Sequence, residues 1–204
     1  ADAHKYFTLA FNFINHGVYS LSHADPLLVS TLITPGYPLF LTPILFFSKT
    51  ISSFHFNVLV VQAFISGFSA VLSFLLAKKI MPNIWAVFSA GLVIISPHLN
   101  TLSGYVLTET LFIFTLLLGL YVLVCAFEKR IGFLFFLAGI AFGFGSLVRP
   151  VLILLPIILV ITSLVHYDLK EFRGGFVLAL IGLVVTIGPW QLFKMGQPEN
   201  QGTN

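Results

Sequence analysis

The stretch Asp2-Ala-His-Lys-Tyr6-Phe-Thr-Leu9-Ala10-Phe-Asn-Phe13-Ile14 opens the chain with a helical pattern. Its apolar residues recur at the spacing that places them on one side of a helix, namely Tyr6, Leu9, Ala10, Phe13 and Ile14. The opposite side carries Lys5, Thr8, Asn12 and Asn15. Asn15-His16-Gly17 then predicts a helix stop in which Gly17 supplies the left-handed residue. A helix of this kind is typical of a membrane surface.

The segment that follows is polar and rich in turn residues, and it leads to Thr34-Pro35-Gly36-Tyr37-Pro38. Two prolines flank a glycine there, so we predict no regular helix at this point. Beyond it the chain is almost entirely apolar. The contrast between this polar segment and the apolar remainder indicates that residues 1–55 form a functional loop on one face of a membrane bundle.

The composition is that of an integral membrane protein. Hydrophobic residues fill 58% of the 204 positions and charged residues 8%, and the mean hydropathy is +1.02. The single Cys125 excludes a disulfide framework within the chain. Ten Lys and Arg stand against seven Asp and Glu, and they are not clustered as a nucleic-acid partner would require.

The apolar part divides into segments long enough to cross a bilayer, which takes roughly 17 to 25 residues. We predict spans at 56–77, 83–99, 105–127, 131–148, 150–167 and 174–193. The shorter segment 38–48 contains Pro43 and is expected to form an interfacial or re-entrant helix. Backbone at membrane depth must satisfy its own hydrogen bonds, so every span should be a helix. Small residues in one span should permit close approach to a neighbour: Gly132, Gly139, Gly143 and Gly145.

The predicted fold is therefore all-α, a polytopic membrane helical bundle with juxtamembrane helices in its first outer loop. Residues 1–55 form that loop, 56–193 the bundle and 194–204 the start of a second outer loop. Every second loop is basic, with Lys78, Lys79, Lys129, Arg130, Lys170 and Arg173, whereas the intervening loops hold only Lys49, Arg149 and Lys194. The positive-inside rule assigns the first group to the cytoplasm and the polar loop 1–55 to the opposite side.

Three charged residues on that opposite side could carry chemistry. Asp2 could act as a general base on a substrate at the membrane surface, or it could simply favour a helix N-terminus. Glu109 lies where a span enters the bilayer, and a carboxylate there is costly enough to imply function; the alternative is a first-turn acid after a Thr cap. Arg149 could bind a phosphate oxygen or reach out to the interface.

Other signatures are weak or missing. The histidines at 4, 16, 23, 55 and 98 have no metal-ligand spacing, so no cofactor is predicted with certainty, although a divalent metal stays possible. No nucleotide-binding or hydrolase motif is present. If the protein is an enzyme, its activated substrate must therefore arrive through the lipid.

A set of ordered motifs resembles the GT-C-fold integral membrane glycosyltransferases, and most closely the dolichyl-phosphate-mannose protein mannosyltransferases and the bacterial aminoarabinose lipid A transferases. The motifs are Asp2-x-x-x-Tyr6-x-x-Leu9-Ala10, Gly17-x-Tyr19-Ser20, Thr34-Pro35-Gly36-Tyr37-Pro38-Leu39-Phe40, Leu107-Thr108-Glu109-Thr110-Leu111-Phe112, Leu147-Val148-Arg149-Pro150 and Gly188-Pro189-Trp190. The resemblance implies a polyprenyl-phosphate-linked sugar donor, a lipid, glycan or protein acceptor, and transfer with inversion in a bacterial or archaeal cell membrane. It also implies that the chain is an N-terminal fragment that lacks the first transmembrane helix and is inactive alone.

By the same resemblance Asp2 and Glu109 are the catalytic candidates. Asp2 matches the family's loop carboxylate that acts on the acceptor, and Glu109 matches a second acid at the outer face. Arg149 would offset charge on the departing lipid phosphate. The residues expected to bind substrate are Tyr6, Tyr37, His98, Tyr105 and Arg149.

The alternative class is a non-enzymatic membrane protein, either a transporter or an assembly subunit. A transporter would more often place charges or broken helices near the bilayer centre and would show related halves. In this sequence the polar groups gather near one face. Paired surface helices over a cavity that opens to lipid would favour the transferase, whereas an aqueous path across the bundle would favour the transporter.

Overall fold

The computed structural model describes residues 2–22, 27–95, 106, 108–165 and 171–197. These residues form mainly α-helices, and their only β feature is an isolated bridge between Ser20 and Val29 in the loop that joins the first two helices. The predicted all-α fold class is confirmed. The helices are α1 (Asp2–His16), α2 (Gly36–Phe46), α3 (Ile51–Lys78), α4 (Asn83–Ile95), α5 (Glu109–Lys129), α6 (Gly132–Val148), α7 (Leu154–Val165) and α8 (Arg173–Met195), with a 3-10 turn at Pro150–Ile153.

Three of the described helices are long and apolar enough to cross a membrane, namely α3, α5 and α8. Their 28, 21 and 23 residues coincide with three of the six predicted spans. The other three predicted spans coincide with shorter apolar helices, and the ends of two of them, 96–99 and 166–167, lie outside the described residues. The protein is an integral membrane protein built as a helical bundle.

The central contact of the bundle is between α6 and α8, and glycines make it close. A Cβ on Gly139 would collide with the carbonyl oxygen of Ala179, and a Cβ on Gly143 would lie 2.6 Å from Cβ of Thr186. The relation is mutual, because a Cβ on Gly182 of α8 would meet the carbonyl oxygen of Phe136. The predicted role of the glycines at 139 and 143 is confirmed, since only a hydrogen fits against the backbone of Ala179 at the first position and against the side chain of Thr186 at the second.

The predicted orientation of α1 is wrong in part. Thr8 and Asn12, assigned to the polar side, are buried, whereas Phe13 is 41% exposed. The reason is that the following loop folds back on α1. The side-chain amide of Asn12 donates to the carbonyl oxygens of Ser20 and Ser22 at 2.8 and 3.0 Å, which satisfies a polar group out of water. The predicted stop is confirmed, with Gly17 at φ +67°.

The expectation of no regular helix around Pro35 to Pro38 is also wrong, because α2 begins at Gly36. Pro38 lies in the first turn, where a backbone N–H has no partner inside the helix, so proline is tolerated there. The predicted short helix with an internal Pro43 is present. After it, α3 begins with a capping box in which Thr50 and Ser53 satisfy each other's backbone N–H groups.

The two ends of the bundle differ in charge. At the end where α3 and α5 stop and α8 starts, Lys79 contacts Glu128 at 2.6 Å and Arg130 contacts Glu171 at 3.3 Å. We call this the basic end. At the opposite end α5 starts and α6 stops, and Arg149 lies between them. We call this the Arg149 end, and α1 and α2 pack against it.

Candidate functional site

Arg149 owes its position to the proline that follows it. A residue before proline avoids the helical region of φ and ψ, so α6 ends at Val148 and Arg149 is extended, with φ −141° and ψ 119°. Pro150 then begins the 3-10 turn. The kink directs the arginine side chain across to the first turn of α5 instead of along its own helix axis.

The guanidinium of Arg149 makes contacts with neighbouring residues of α5. Its Nε donates to Oγ1 of Thr108 at 3.0 Å, and its Nη2 donates to Oε1 of Glu109 in an ion pair. The ring centroid of Phe112 is 5.7 Å from its Cζ atom, within range of a cation–π contact. We call Arg149, Thr108, Glu109 and Phe112 the Arg149 cluster.

The cluster is neither fully exposed nor fully enclosed. The side chain of Arg149 is 42% exposed and that of Glu109 is 24% exposed. Thr108 makes no side-chain cap to α5, although it is the residue that precedes the helix. Its hydroxyl instead accepts the hydrogen bond from Nε of Arg149 and lies 3.5 Å from Oε2 of Glu109. The simple alternative for Glu109, a first-turn acid behind a Thr cap, therefore lacks its cap.

Two tyrosines at the same end, one in α1 and one in α2, pack against each other. Tyr6 meets Tyr37 edge to face, with 5.0 Å between ring centroids. Tyr37 is buried, and its hydroxyl accepts a hydrogen bond of 3.1 Å from Nε2 of Gln62 in α3. Tyr37 can lie this deep because Gly36 packs directly on the backbone of Leu147. Tyr37 thus belongs to the buried apolar group at this end of the bundle, and Tyr6 packs against that group.

The start of α1 packs into the same core. Ala3 and Tyr6 contact a buried group that includes Leu111 and Val148, the neighbours of Glu109 and Arg149 in sequence. The first turn of α1, which begins at Asp2, therefore lies at the Arg149 end. The side chain of Asp2, together with His98 and Tyr105, lies outside the part of the chain that the structure describes.

Loop residues also hold α1 and α2 to the bundle. The hydroxyl of Tyr19 donates to the carbonyl oxygens of Ile33 and Thr34 at 3.1 and 3.3 Å, and its ring meets Trp190 of α8 edge to face. Burial raises the pKa of the Tyr19 phenol, and the nearby Tyr6 adds to the shift. The hydroxyl of Thr34 donates to the carbonyl oxygen of Val148 at 3.4 Å. The loop is thus tied to the residue directly before Arg149.

No group of three His, Cys, Asp or Glu side chains that could hold a metal ion occurs among the described residues. Two apolar grooves run along the outer side of α3. One of about 300 Å³ is bordered by Pro43, Phe47 and Asn57, and one of about 560 Å³ by Phe64, Gly67 and Phe68. Apolar side chains line most of both grooves, and Phe47, Phe64 and Phe68 among them are exposed.

Sequence reasoning did not single out Gln62, Thr108 or Asn12. Gln62 had a signal, because it is an amide in the middle of an apolar span and such a group needs an internal partner. Thr108 and Asn12 had no local signal, since their partners lie in other segments of the chain.

Comparison with curated proteins found no match, and neither did comparison with solved structures. The family model for dolichyl-phosphate-mannose-protein mannosyltransferases matches residues 2–174. The match includes every residue of the Arg149 cluster, and it also includes Tyr6 and Tyr37. The chain belongs to the dolichyl-phosphate-mannose-protein mannosyltransferase family of membrane glycosyltransferases.

Proposed function

We propose that the protein transfers a sugar from a polyprenyl-phosphate-linked donor to an acceptor hydroxyl on the extracytoplasmic side of the membrane, with inversion at the anomeric carbon. The family's printed description makes mannose the first sugar to test and protein the first acceptor. Loop residues 1–55 supply the catalytic surface, and residues 56–193 supply the bundle that holds it.

The observation that carries the proposal is the braced guanidinium of Arg149 beside the start of α1. A lipid-linked donor has an anionic phosphate at the membrane surface, and arginine is well suited to it because its planar fork matches phosphate oxygens. Arg149 is partly exposed at the end of the bundle, where such a headgroup would lie. The apolar grooves beside α3 are compatible with a substrate that arrives from the lipid.

In the proposed reaction the carboxylate of Asp2 takes the proton of the acceptor hydroxyl. The acceptor oxygen attacks the anomeric carbon while the bond between that carbon and the phosphate oxygen breaks. A polyprenyl phosphate leaves with one more negative charge than it had as an ester, and Arg149 offsets that charge. A single displacement of this kind inverts the anomeric centre.

The charge pattern supports the proposed side of the membrane. The basic end carries Lys78, Lys79, Lys129 and Arg130, and the positive-inside rule assigns such an end to the cytoplasm. The Arg149 cluster is at the other end of the bundle. A transporter would instead be expected to place ionisable groups near the bilayer centre, whereas the ion pairs of the described residues lie at helix ends.

The proposal is tested with Asp2→Asn in the full-length membrane protein, by following transfer of radiolabelled mannose from dolichyl-phosphate mannose. We expect a loss of about 10² to 10⁴-fold in transfer, the usual contribution of a general base, with insertion into the membrane unchanged. Glu171→Gln is the matched control, because it makes the same kind of change at the basic end. Transfer that survives in Asp2→Asn would remove Asp2 from the catalytic role.

A further inference from the structure

The contacts that hold Arg149 fix the direction of its side chain as well as its place. They come from Thr108, which directly precedes α5, and from Glu109 and Phe112 in its first turn. Two hydrogen bonds to one edge of a guanidinium determine the orientation of its plane, and the ring of Phe112 restricts it further. An arginine on a flexible surface would have no such restriction.

These contacts leave one edge of the guanidinium for a ligand. Thr108 and Glu109 accept from Nε and Nη2, which together form one side of the fork. The edge formed by Nη1 and the remaining proton of Nη2 is the one that these two bonds do not use. This second edge has the spacing that suits two oxygens of one phosphate.

We infer that Glu109 and Thr108 are positioning residues that orient the guanidinium of Arg149 for a phosphate monoester or diester on a lipid. The inference rests on the proposed function, and it assigns Glu109 to act through Arg149 and not on the sugar or the acceptor. It specifies the substrate chemistry of the cluster as an anionic phosphate bound in the end-on geometry of the fork.

Charge repulsion alone predicts the opposite effect of Glu109 on donor binding. The direction in which donor affinity changes when Glu109 is neutralised therefore distinguishes repulsion from positioning. A carboxylate close to a phosphate repels it, so removal of the charge of Glu109 would tighten binding of the donor if charge alone mattered. If Glu109 instead orients Arg149, its removal frees the guanidinium and weakens donor binding. The two accounts differ in direction, not only in size.

The experiment measures KM for dolichyl-phosphate mannose and kcat in the full-length protein and in Glu109→Gln. We expect the donor KM to rise by roughly tenfold to a hundredfold, the range that loss of supporting contacts costs at other sites, while KM for the acceptor is unchanged. A purely structural role would lower the fraction of folded enzyme and hence the apparent kcat, and it would leave the donor KM unchanged.

Thr108 provides a test that involves no change of charge. Thr108→Val removes the acceptor for Nε and should raise the donor KM in the same direction as Glu109→Gln, and Thr108→Ser should restore it. Thr110→Val is the matched control, because the Thr110 hydroxyl is buried without a hydrogen-bond partner among the described residues. Its donor KM should equal that of the wild type.

The outcomes separate the inference from the function on which it rests. If the wild-type protein transfers mannose and the donor KM of Glu109→Gln is unchanged or lower, the positioning role is wrong and the proposed function stands. The same holds if Thr108→Val leaves the donor KM unchanged. If the wild type neither transfers from the donor nor binds it, the proposed function is wrong and the positioning role with it.

Discussion

At the basic end, the ion pairs Lys79–Glu128 and Arg130–Glu171 join helices through side chains that are largely open to solvent, with exposed fractions from 33% to 71%. At the Arg149 end, Glu109 is 24% exposed, and its partner also donates to a threonine hydroxyl. An aromatic ring lies near the arginine at both ends, 5.7 Å from Arg149 and 5.9 Å from Arg130, so the threonine and the lower exposure of the acid make the difference. Isolated exposed pairs contribute little to stability, whereas a braced pair has a defined geometry. Both ends therefore have ion pairs, but only the pair at the Arg149 end holds its guanidinium in a geometry suited to a ligand.

The largest effect that the comparison of the two ends predicts is that of Arg149→Lys, which keeps the charge at the Arg149 end and removes the fork. A lysine cannot donate to Thr108 and Glu109 while presenting a second planar edge to a phosphate. We expect transfer to fall by about 10²-fold, as when one donor to a developing negative charge is removed. Radiolabelled sugar transfer in membranes measures it, with Arg130→Lys at the basic end as control. Equal activity in the two variants would contradict the difference between the ends.

The second prediction compares one substitution at the two ends. In Gly36→Ala the new Cβ would lie 2.5 Å from the carbonyl carbon of Leu147 and 2.7 Å from the backbone nitrogen of Val148. Backbone atoms cannot rotate away, so α2 must shift from the end of α6. We expect a loss of about 1–3 kcal/mol, the usual cost of overpacking.

Gly174→Ala is the matched control for that change. Gly174 is in the first turn of α8 at the basic end, and a Cβ there meets nothing within 4 Å. Thermal denaturation of the detergent-solubilised protein should show a lower midpoint for Gly36→Ala and an unchanged one for Gly174→Ala. Equal midpoints would show that α2 is not packed against α6 as closely as described.

The third prediction concerns the loop that joins α1 and α2 to the Arg149 end. Tyr19→Phe keeps the ring contact with Trp190 and removes the hydroxyl that donates to Ile33 and Thr34. We expect a loss of about 0.5–1.5 kcal/mol, the net value of a typical hydrogen bond, measured by thermal denaturation at neutral pH. A midpoint equal to that of the wild type would mean that the hydroxyl does not stabilise the loop.

The same tyrosine predicts a dependence on pH. Because burial raises its pKa in the folded protein, the contribution of Tyr19 is fully present below the unfolded pKa of about 10 and is lost as the pH rises through the folded value. Denaturation followed above pH 10 should therefore show a smaller difference between wild type and Tyr19→Phe than denaturation at neutral pH.

Local rules predict much of this fold. Three of the six predicted spans, the stop at Gly17 and the close approach at Gly139 follow from a few neighbouring residues or from the absence of a side chain, and the structure confirms these. The start of α2 at Gly36 does not follow from the rule that proline breaks a helix, because proline is tolerated in a first turn. Local information is thus sufficient where a residue's conformation depends on its own neighbours.

The candidate site is harder to predict because its contacts join residues that are far apart in the sequence. Arg149 and Glu109 are 40 positions apart, and Gln62 and Tyr37 are 25 apart. No periodicity relates such residues. The pairing of Arg149 with Glu109 depends on how α5 and α6 pack, and that of Gln62 with Tyr37 depends on how α2 and α3 pack. The sequence identifies both charged residues as functional candidates, but only the fold shows that each is the other's partner. The roles of Asp2, Glu109 and the substrate-binding residues remain predictions.

The smallest expected effect is at the basic end, in Lys79→Met. The hydrogen bond to Glu128 raises the pKa of Lys79 above its ordinary value, so the pair stabilises the fold below that ordinary value and loses its effect as the pH rises through the folded one. Both side chains are substantially exposed, and salt screens such pairs. Lys79→Met should therefore lower the denaturation midpoint only slightly at low salt and not at all at high salt. If it lowered the midpoint as much as Gly36→Ala does, the exposed pair would be a structural element of the bundle, and the contrast between the two ends would rest on the braced geometry of Arg149 alone.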